Sequence, residues 1–281
     1  MTRAGLGRPI TVGVVDAHRA ALGFAVEEAR LAGCDLQLVH AYTVPPSPPR
    51  AISSAYGIDI DASFVDSGRA VLAAAAAFVA SRHPDLTVRS VLEAGAAPGV
   101  LARVSETSRL LVLGPDDATP WYSRLFRSRV SRTLAHEASC PVVVVPDTWV
   151  ERSSRDITLL LDSRTVAHGP LRFAFERASR HDDVLHVLHV QGLDDDGIPW
   201  HDMRRLIESW QATYPHVLVD TAVVGGVADV AMVESFERTG VLVLGRPHGD
   251  HLPVPMHDSL AQAVIARASC PVAVVPPDYD V

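Results

Sequence analysis

A chain of 281 residues is long enough for two domains, and a hydrophobic fraction of 48% can bury a core in each. The net charge of -8 opposes the attraction to phosphate backbones on which nucleic-acid binding relies, so nucleic acid is not an expected partner. No uninterrupted apolar run approaches the roughly 18 residues of a membrane span, and the first residues lack the apolar core of a secretion signal. We therefore expect a cytoplasmic protein that has no membrane partner.

The first half alternates aliphatic runs with stretches of helical period, the pattern of a parallel sheet covered on both faces. Strands are predicted near 10–16, 35–41, 86–92, 109–113 and 141–145, and helices near 18–32, 66–82, 97–107 and 128–138. The alanine-rich run 70–80 is predicted to form a buried helix. The proline-rich stretch 43–66 is predicted to be an extended connector, with a lid over a site as the alternative.

The second half repeats the first. Leu-Val-Leu-Gly ends at Gly114 and again at Gly245, and Ser-Cys-Pro-Val follows each, with its cysteine at Cys140 and Cys270. Strands are predicted near 156–162, 183–190, 216–223, 240–244 and 271–275. A repeat of this length indicates two whole domains in tandem, because solenoid repeats are much shorter. The predicted domains are 1–150 and 151–281, divided in the polar stretch 147–155.

The first helix of each half has the same buried face. Leucine, alanine and aromatic or branched residues recur at i, i+3, i+4 and i+7, as expected for core packing. The matched residues are Leu22 with Leu171, Ala25 with Ala174, Val26 with Phe175, and Ala29 with Ala178.

The cysteines and histidines do not indicate a metal or redox site. Cys140 and Cys270 are repeat equivalents just before strands, which leaves Cys34 alone, and we expect all three to be reduced and buried. His40 and His189 are equivalent residues at strand ends and are expected to be structural. A further histidine group lies between prolines in a loop, where zinc-ligand spacing is not met, so no metal is expected; it comprises His248, His251 and His257, with Asp250 nearby.

A ligand site is predicted where the strand order of each sheet reverses. In open parallel sheets, ligands bind beyond the carboxyl ends of the strands at this point. This rule places Asp16 beside the loop after Gly114, and Asp162 beside the loop after Gly245. A glycine that ends a strand before a loop and a helix can present backbone N–H groups to a phosphate.

On these residues the chain resembles the universal stress protein family, specifically its tandem two-domain members, over nearly all of its length. The resemblance implies an α/β fold with two Rossmann-like, adenine nucleotide alpha hydrolase-like domains, each a five-stranded parallel sheet flanked by helices. Single-domain members pair through their final strands. We therefore expect 142–145 and 272–275 to lie near each other in an internal pseudo-dimer, and a homodimer of the chain is a further option.

The resemblance also implies candidate nucleotide contacts. In the nucleotide-binding branch of the family, an aspartate of the first strand and the backbone at the end of the second strand hold the adenosine, while glycines and a hydroxyl hold the phosphates. In the second half, His248 and Asp258 replace two of the three glycines. The positions that match the pattern are Asp162, Val190, Gly245 and Ser259.

The first half departs from the pattern differently. It retains Asp16, Ala41 and Gly114, but Asp117 stands at the second glycine, and Ser128 and Arg129 stand where Gly-Ser is expected. Arginines surround this position and could form a replacement anion clamp, because a guanidinium binds phosphate well. Alternatively they cover a solvated helix face or pair with nearby carboxylates. These arginines are Arg124, Arg127, Arg129 and Arg132.

A side chain at a family glycine blocks the close approach of backbone to phosphate, and Asp258 adds charge repulsion. The sequence therefore predicts a stress-response or signalling protein that acts through unknown protein partners, with weak or lost nucleotide binding and no firm cofactor. The alternative is a sensor that binds ATP or another adenine nucleotide. No Gly-x-Ser-x-Gly, Walker lysine loop or Ser-His-Asp arrangement occurs in a persuasive context, so enzymatic activity is not expected.

Overall fold

The structure is a computed structural model that describes residues 7–15, 19–43, 60–114, 134, 137–150, 156–162, 168–191, 198–225, 239–246 and 269–280. The elements of the first half are β1 (Ile10–Gly13), α1 (Arg19–Ala32), β2 (Leu36–Tyr42), α2 (Ile60–Arg82), β3 (Val88–Ala94), α3 (Ala97–Ser105), β4 (Leu110–Leu113) and β5 (Val142–Val144). Those of the second half are β6 (Ile157–Asp162), α4 (His168–His181), β7 (Leu185–Gln191), α5 (Trp200–Thr213), β8 (Val219–Gly225), β9 (Val241–Gly245) and β10 (Val272–Val275).

All ten predicted strands are present. Three of the four predicted helices of the first half are present as well, and most of the fourth, 128–138, lies outside the described residues. The predicted connector 43–66 is wrong at its end, because the chain is helical from Ile60 onward. This segment follows the last prolines and contains no helix breaker, so the helix extends back to it.

The strands form one ten-stranded sheet in the order β3-β2-β1-β4-β5-β10-β9-β6-β7-β8. Neighbouring strands within each half are parallel, which confirms the predicted sheets of five. The halves meet where β5 pairs with β10 in antiparallel orientation, as predicted for the final strands. Val143 lies opposite Ala273, its repeat equivalent, so the pseudo-twofold axis of the molecule passes between them.

The sheet separates two apolar layers. Alternate residues of a strand point to opposite faces, so Ile10 and Val12 pack in the layer that contains α1 and α4, while Leu111 and Leu113 pack in the layer that contains α3. The four predicted core positions of α1 and the four of α4 are all buried, which confirms the predicted helix face.

The alanine-rich helix α2 was predicted to be buried, but most of it is exposed. Leu72, Ala75 and Val79 are buried, but most of its other alanines are exposed, and only 22% of its most apolar stretch of 18 residues lies inside the fold. A run of alanines has high helix propensity but no periodicity, so the sequence does not reveal which face packs. By length and composition alone, α2 is also the one described helix that could cross a membrane.

Candidate functional site

The carboxyl ends of the first and fourth strands lie side by side in both halves. Gly13 of β1 is opposite Leu113 of β4, and Gly114 follows directly. In the second half, Leu160 of β6 is opposite Leu244 of β9. Each half therefore has an edge at which a ligand could meet the first-strand and fourth-strand loops together, as the topology rule predicts.

The second half brings three candidate positions to this edge. The β6–β7 ladder places Asp162, the last residue of β6, directly opposite Val190 near the end of β7. Gly245 ends β9, the other neighbour of β6, and is paired with Val275 of β10. The backbone of these three candidate residues is thus gathered at the end of adjacent strands.

The corresponding edge of the first half has one additional residue. β1 ends at Gly13. The next residue, Val14, still donates a hydrogen bond from its N–H to the carbonyl of Val39 in β2, at 2.8 Å. Val15 then stands 70% exposed. Six residues run from Ile157 to Asp162, against seven from Ile10 to Asp16, so this difference was readable in the sequence. Ala41 lies near the end of β2, opposite Glu93.

Gly245 has a packing role that does not require a ligand. A Cβ atom at this position would lie 3.3 Å from Cγ of Pro170, in the first turn of α4. Such a contact is tighter than ordinary van der Waals packing, so glycine lets the end of β9 approach the helix. The glycine alone is therefore not proof of a phosphate site.

Arg246 follows Gly245 and joins the two halves, a contact that sequence analysis missed. Its guanidinium donates a hydrogen bond to the carbonyl of Ala138 in the first half, and its N–H donates to the carbonyl of Val275 at 2.8 Å. Burial lowers the pKa of Arg246, against the attraction of Asp278. No sequence signal marks this residue, because the repeat equivalent of Arg246 is Pro115.

The two strand-end histidines make internal contacts. Nδ1 of His40 is 2.7 Å from the carbonyl of Val14, and a Cβ atom at Gly68 would lie 2.9 Å from its ring. His189 is 2% exposed, and its ring stacks on Trp200 at 5.4 Å between centroids. Both rings are thus held between the sheet and the following helix, as expected for structural residues.

The cysteines are buried as predicted. Cys34, Cys140 and Cys270 are 7%, 2% and 4% exposed. Burial raises the pKa of the Cys34 thiol and raises that of Cys140 to about 12. Thiols in this state are poor nucleophiles and poor metal ligands.

The remaining candidate residues lie outside the described part of the chain. These are Asp16, Arg127, Ser128, Arg129 and Ser259, together with Asp117, Arg124, Arg132 and the His248–Asp258 loop. Within the described ranges, no three His, Cys, Asp or Glu side chains are grouped so that they could hold a metal ion.

A cavity of about 850 Å³ lies away from the candidate edge. It opens between α1 and α2, against Trp149, and extends to Asp35 and Thr87, which precede β2 and β3. It therefore lies toward the amino ends of these strands, whereas the candidate site is at the carboxyl ends. Arginines and carboxylates both line it, so its charge favours neither an anion nor a cation.

Comparison with known proteins agrees with the fold and the repeat. The profile of the universal stress protein family matches residues 8–146. A universal stress protein of Mycobacterium tuberculosis (strain H37Rv) is 26% identical over 275 residues, which cover 91% of this chain and 92% of that protein. A second one from the same strain is 26% identical over 254 residues, with 87% and 90% covered.

Solved structures match over nearly the whole length of the chain. A universal stress protein from Archaeoglobus fulgidus superposes with a TM-score of 0.69 at 16% identity, covering 96% of this chain and 97% of that one. A putative universal stress protein from Pseudomonas aeruginosa gives a TM-score of 0.58 at 16% identity, with 96% and 94% covered. The family profile identifies residues 8–146 as a universal stress protein domain, and the relatives show that the chain is similar to universal stress proteins over nearly all of its length.

Proposed function

We propose that this protein is a cytoplasmic stress-response or signalling protein that acts through contacts with other proteins, catalyses no reaction, and binds nucleotide weakly or not at all. The observation that carries the proposal is the loop after Gly245, where His248 and Asp258 stand at two of the family's three glycine positions. The residues that match the adenosine side of the family pattern, Asp162 and Val190, are retained and lie opposite each other in the β6–β7 ladder.

The cost of these changes follows from simple electrostatics. A carboxylate about 4 Å from one phosphate charge costs about 1 kcal/mol in water and about 4 kcal/mol at an intermediate dielectric. Because about 1.4 kcal/mol is tenfold in affinity, Asp258 alone would weaken nucleotide binding by about fivefold to a thousandfold. The side chain of His248 adds a steric barrier where a glycine would admit the phosphate.

The nucleotide part of the proposal is tested on the full chain. We expect the purified protein to carry no adenine nucleotide on extraction and mass spectrometry, and calorimetry with ATP, with and without magnesium, to give no low-micromolar binding. The double variant His248→Gly with Asp258→Gly should gain ATP affinity, and adding Asp162→Ala should abolish the gain. Co-purified nucleotide at near-equimolar amount would refute the proposal.

The interaction part is tested separately by quantitative affinity capture from unstressed and stressed cells. We expect at least one protein to be enriched over a tag-only control under one of the two conditions. If no protein is enriched under either condition, an interaction role is refuted, whatever the result with nucleotide.

The second candidate function is an adenine-nucleotide sensor, favoured by the arginines at the end of the first half. If Arg127 and Arg129 replace the missing glycine cradle, ATP or inorganic phosphate should bind the full chain with an affinity that falls as salt rises. The variant Arg127→Ala with Arg129→Ala should then lose this binding. Equal titration curves for the wild type and the variant would exclude the clamp.

A further inference from the structure

The two halves meet on one face through a buried ion pair. Arg177 of α4 donates a hydrogen bond to the carboxylate of Glu28 of α1, and both side chains are only 6% exposed. His181 lies beside them, with Nε2 at 3.6 Å from Oε1 of Glu28. The guanidinium of Arg177 also lies over the ring of Phe24, at 5.5 Å from its centroid. The carboxylate of Asp183 faces the other side of His181, at 3.9 Å, so the pair belongs to a group of charged and polar side chains that is removed from water.

Glu28 and Arg177 are the same position of the repeat. They are separated by 149 residues, as are the matched core residues of the two helices, such as Leu22 and Leu171. Two equivalent residues that contact each other must lie at the pseudo-twofold axis, as Val143 and Ala273 do in the sheet. In a symmetric pairing of identical halves, a residue at this position would meet its own copy.

The charges at the axis are repulsive when two identical halves pair (like pairing) and attractive when a first half pairs with a second half (unlike pairing). A first half facing another first half would bring two Glu28 carboxylates together in a desolvated place, and two second halves would bring two Arg177 guanidinium groups together. A buried charge that lacks an opposite partner is strongly destabilising, more so than the same charge within a buried pair. Unlike pairing supplies that opposite charge, and like pairing doubles the uncompensated charge.

We propose that Glu28 and Arg177 select the partner of each half, so that a first half pairs only with a second half, in its own chain or in a second copy. The interaction surface is the α1 and α4 face next to the antiparallel β5–β10 contact. The occupant that fits the first half is the second half of this protein, and like-with-like assembly through this surface is excluded.

Exchanging the two charges in the full chain tests whether Glu28 and Arg177 stabilise the protein as an oppositely charged pair. Glu28→Arg places two arginines at the axis, and Arg177→Glu places two glutamates there. Each single variant should lower Tm by about 10 °C or more, since a buried pair is broken and replaced by repulsion. The exchanged double variant, Glu28→Arg with Arg177→Glu, should recover most of the loss. A double variant no more stable than the singles overturns the proposal.

A matched control uses the ion pair Arg204–Glu208 on α5, whose side chains are 66% and 56% exposed. Arg204→Glu creates a like-charge pair in solvent and should shift Tm by no more than about 2 °C. A shift as large as that at Glu28 would mean that charge reversal on any helix is damaging, and the proposal would fail.

Partner selection is tested by mixing the two single variants. Each variant alone has like charges at the axis, but a first half with Glu28→Arg complements a second half with Arg177→Glu, and the other two halves retain the original pair. Unfolded together and refolded, they should form a mixed dimer of twice the 30.1 kDa chain mass, seen by native mass spectrometry. Neither variant refolded alone should form it, and absence of the mixed dimer overturns the proposal.

Discussion

Because Glu28 is ionised in the folded protein, the stability of the whole chain should decrease as the pH is lowered. Burial raises the pKa of this carboxyl, but the charge of Arg177 together with the hydrogen bond and charge of His181 outweigh burial and lower the pKa to about 2, from 4.5. A lowered folded-state pKa contributes stability that is fully present above pH 4.5 and is lost as the pH falls toward 2. Because a tenfold change in an acid dissociation constant corresponds to about 1.4 kcal/mol, this carboxyl contributes about 3 kcal/mol.

The variant Glu28→Gln isolates this contribution, because every other carboxyl is common to both proteins. The assay is urea unfolding followed by tryptophan fluorescence at pH 7, 4 and 2.5. Between pH 7 and 2.5, the wild type should lose about 3 kcal/mol more unfolding free energy than the variant. Equal losses would show that Glu28 is not held ionised by Arg177, and the reasoning on the buried pair would be refuted.

Three further predictions follow from packing. Gly169→Ala should lower the unfolding free energy by about 2 kcal/mol or more, because its Cβ would lie 2.0 Å from the carbonyl oxygen of Pro276. Gly99→Ala meets nothing within 4 Å and should be neutral or up to about 1 kcal/mol stabilising. Urea unfolding of the two variants compares these effects. Trp149→Ala and Tyr279→Ala should each lower the unfolding free energy by about 1 to 3 kcal/mol in the same measurement, because each ring packs edge-on against a phenylalanine of its own half. If only one of the two variants is destabilised, the two rings do not have equivalent packing roles. The three buried thiols should react with a disulfide reagent at pH 8 slowly in the folded protein and completely in urea, and rapid reaction of the folded protein would refute their burial.

The sequence was sufficient for the sheet because the strands carry the repeat. Leu-Val-Leu-Gly, which ends at Gly114 and again at Gly245, marks the fourth strand twice, and each copy supports the assignment of the other. The run 70–80 offered no such check, since alanine occupies both the packed and the exposed face of α2. Which face packs is decided by the neighbouring strands β2 and β3, and sequence periodicity does not encode that choice here.

The strand-end residues of the candidate site could be predicted from the sequence, but the contact of Arg246 beside them could not. Strand order alone places Asp162 and Gly245 at one edge, because the first and fourth strands must be neighbours at a reversal of order. The contact of Arg246 with Ala138 was not predictable, since it joins residues that are not repeat equivalents and depends on how the two halves face each other. Contacts of this kind require the tertiary structure.

The two halves share an internal hydroxyl contact but carry different residues at the axis where they meet. Thr11 bonds Ser108 at 2.7 Å within the first half, and Thr158 bonds Thr239 at 2.7 Å within the second, at equivalent places. At the axis, glutamate faces arginine. In a symmetric dimer of one repeated unit, any change at the axis occurs on both sides at once, so an ion pair between equivalent positions cannot form there. Fusing two units into one chain removes this constraint, because each side of the axis is then specified by its own residue.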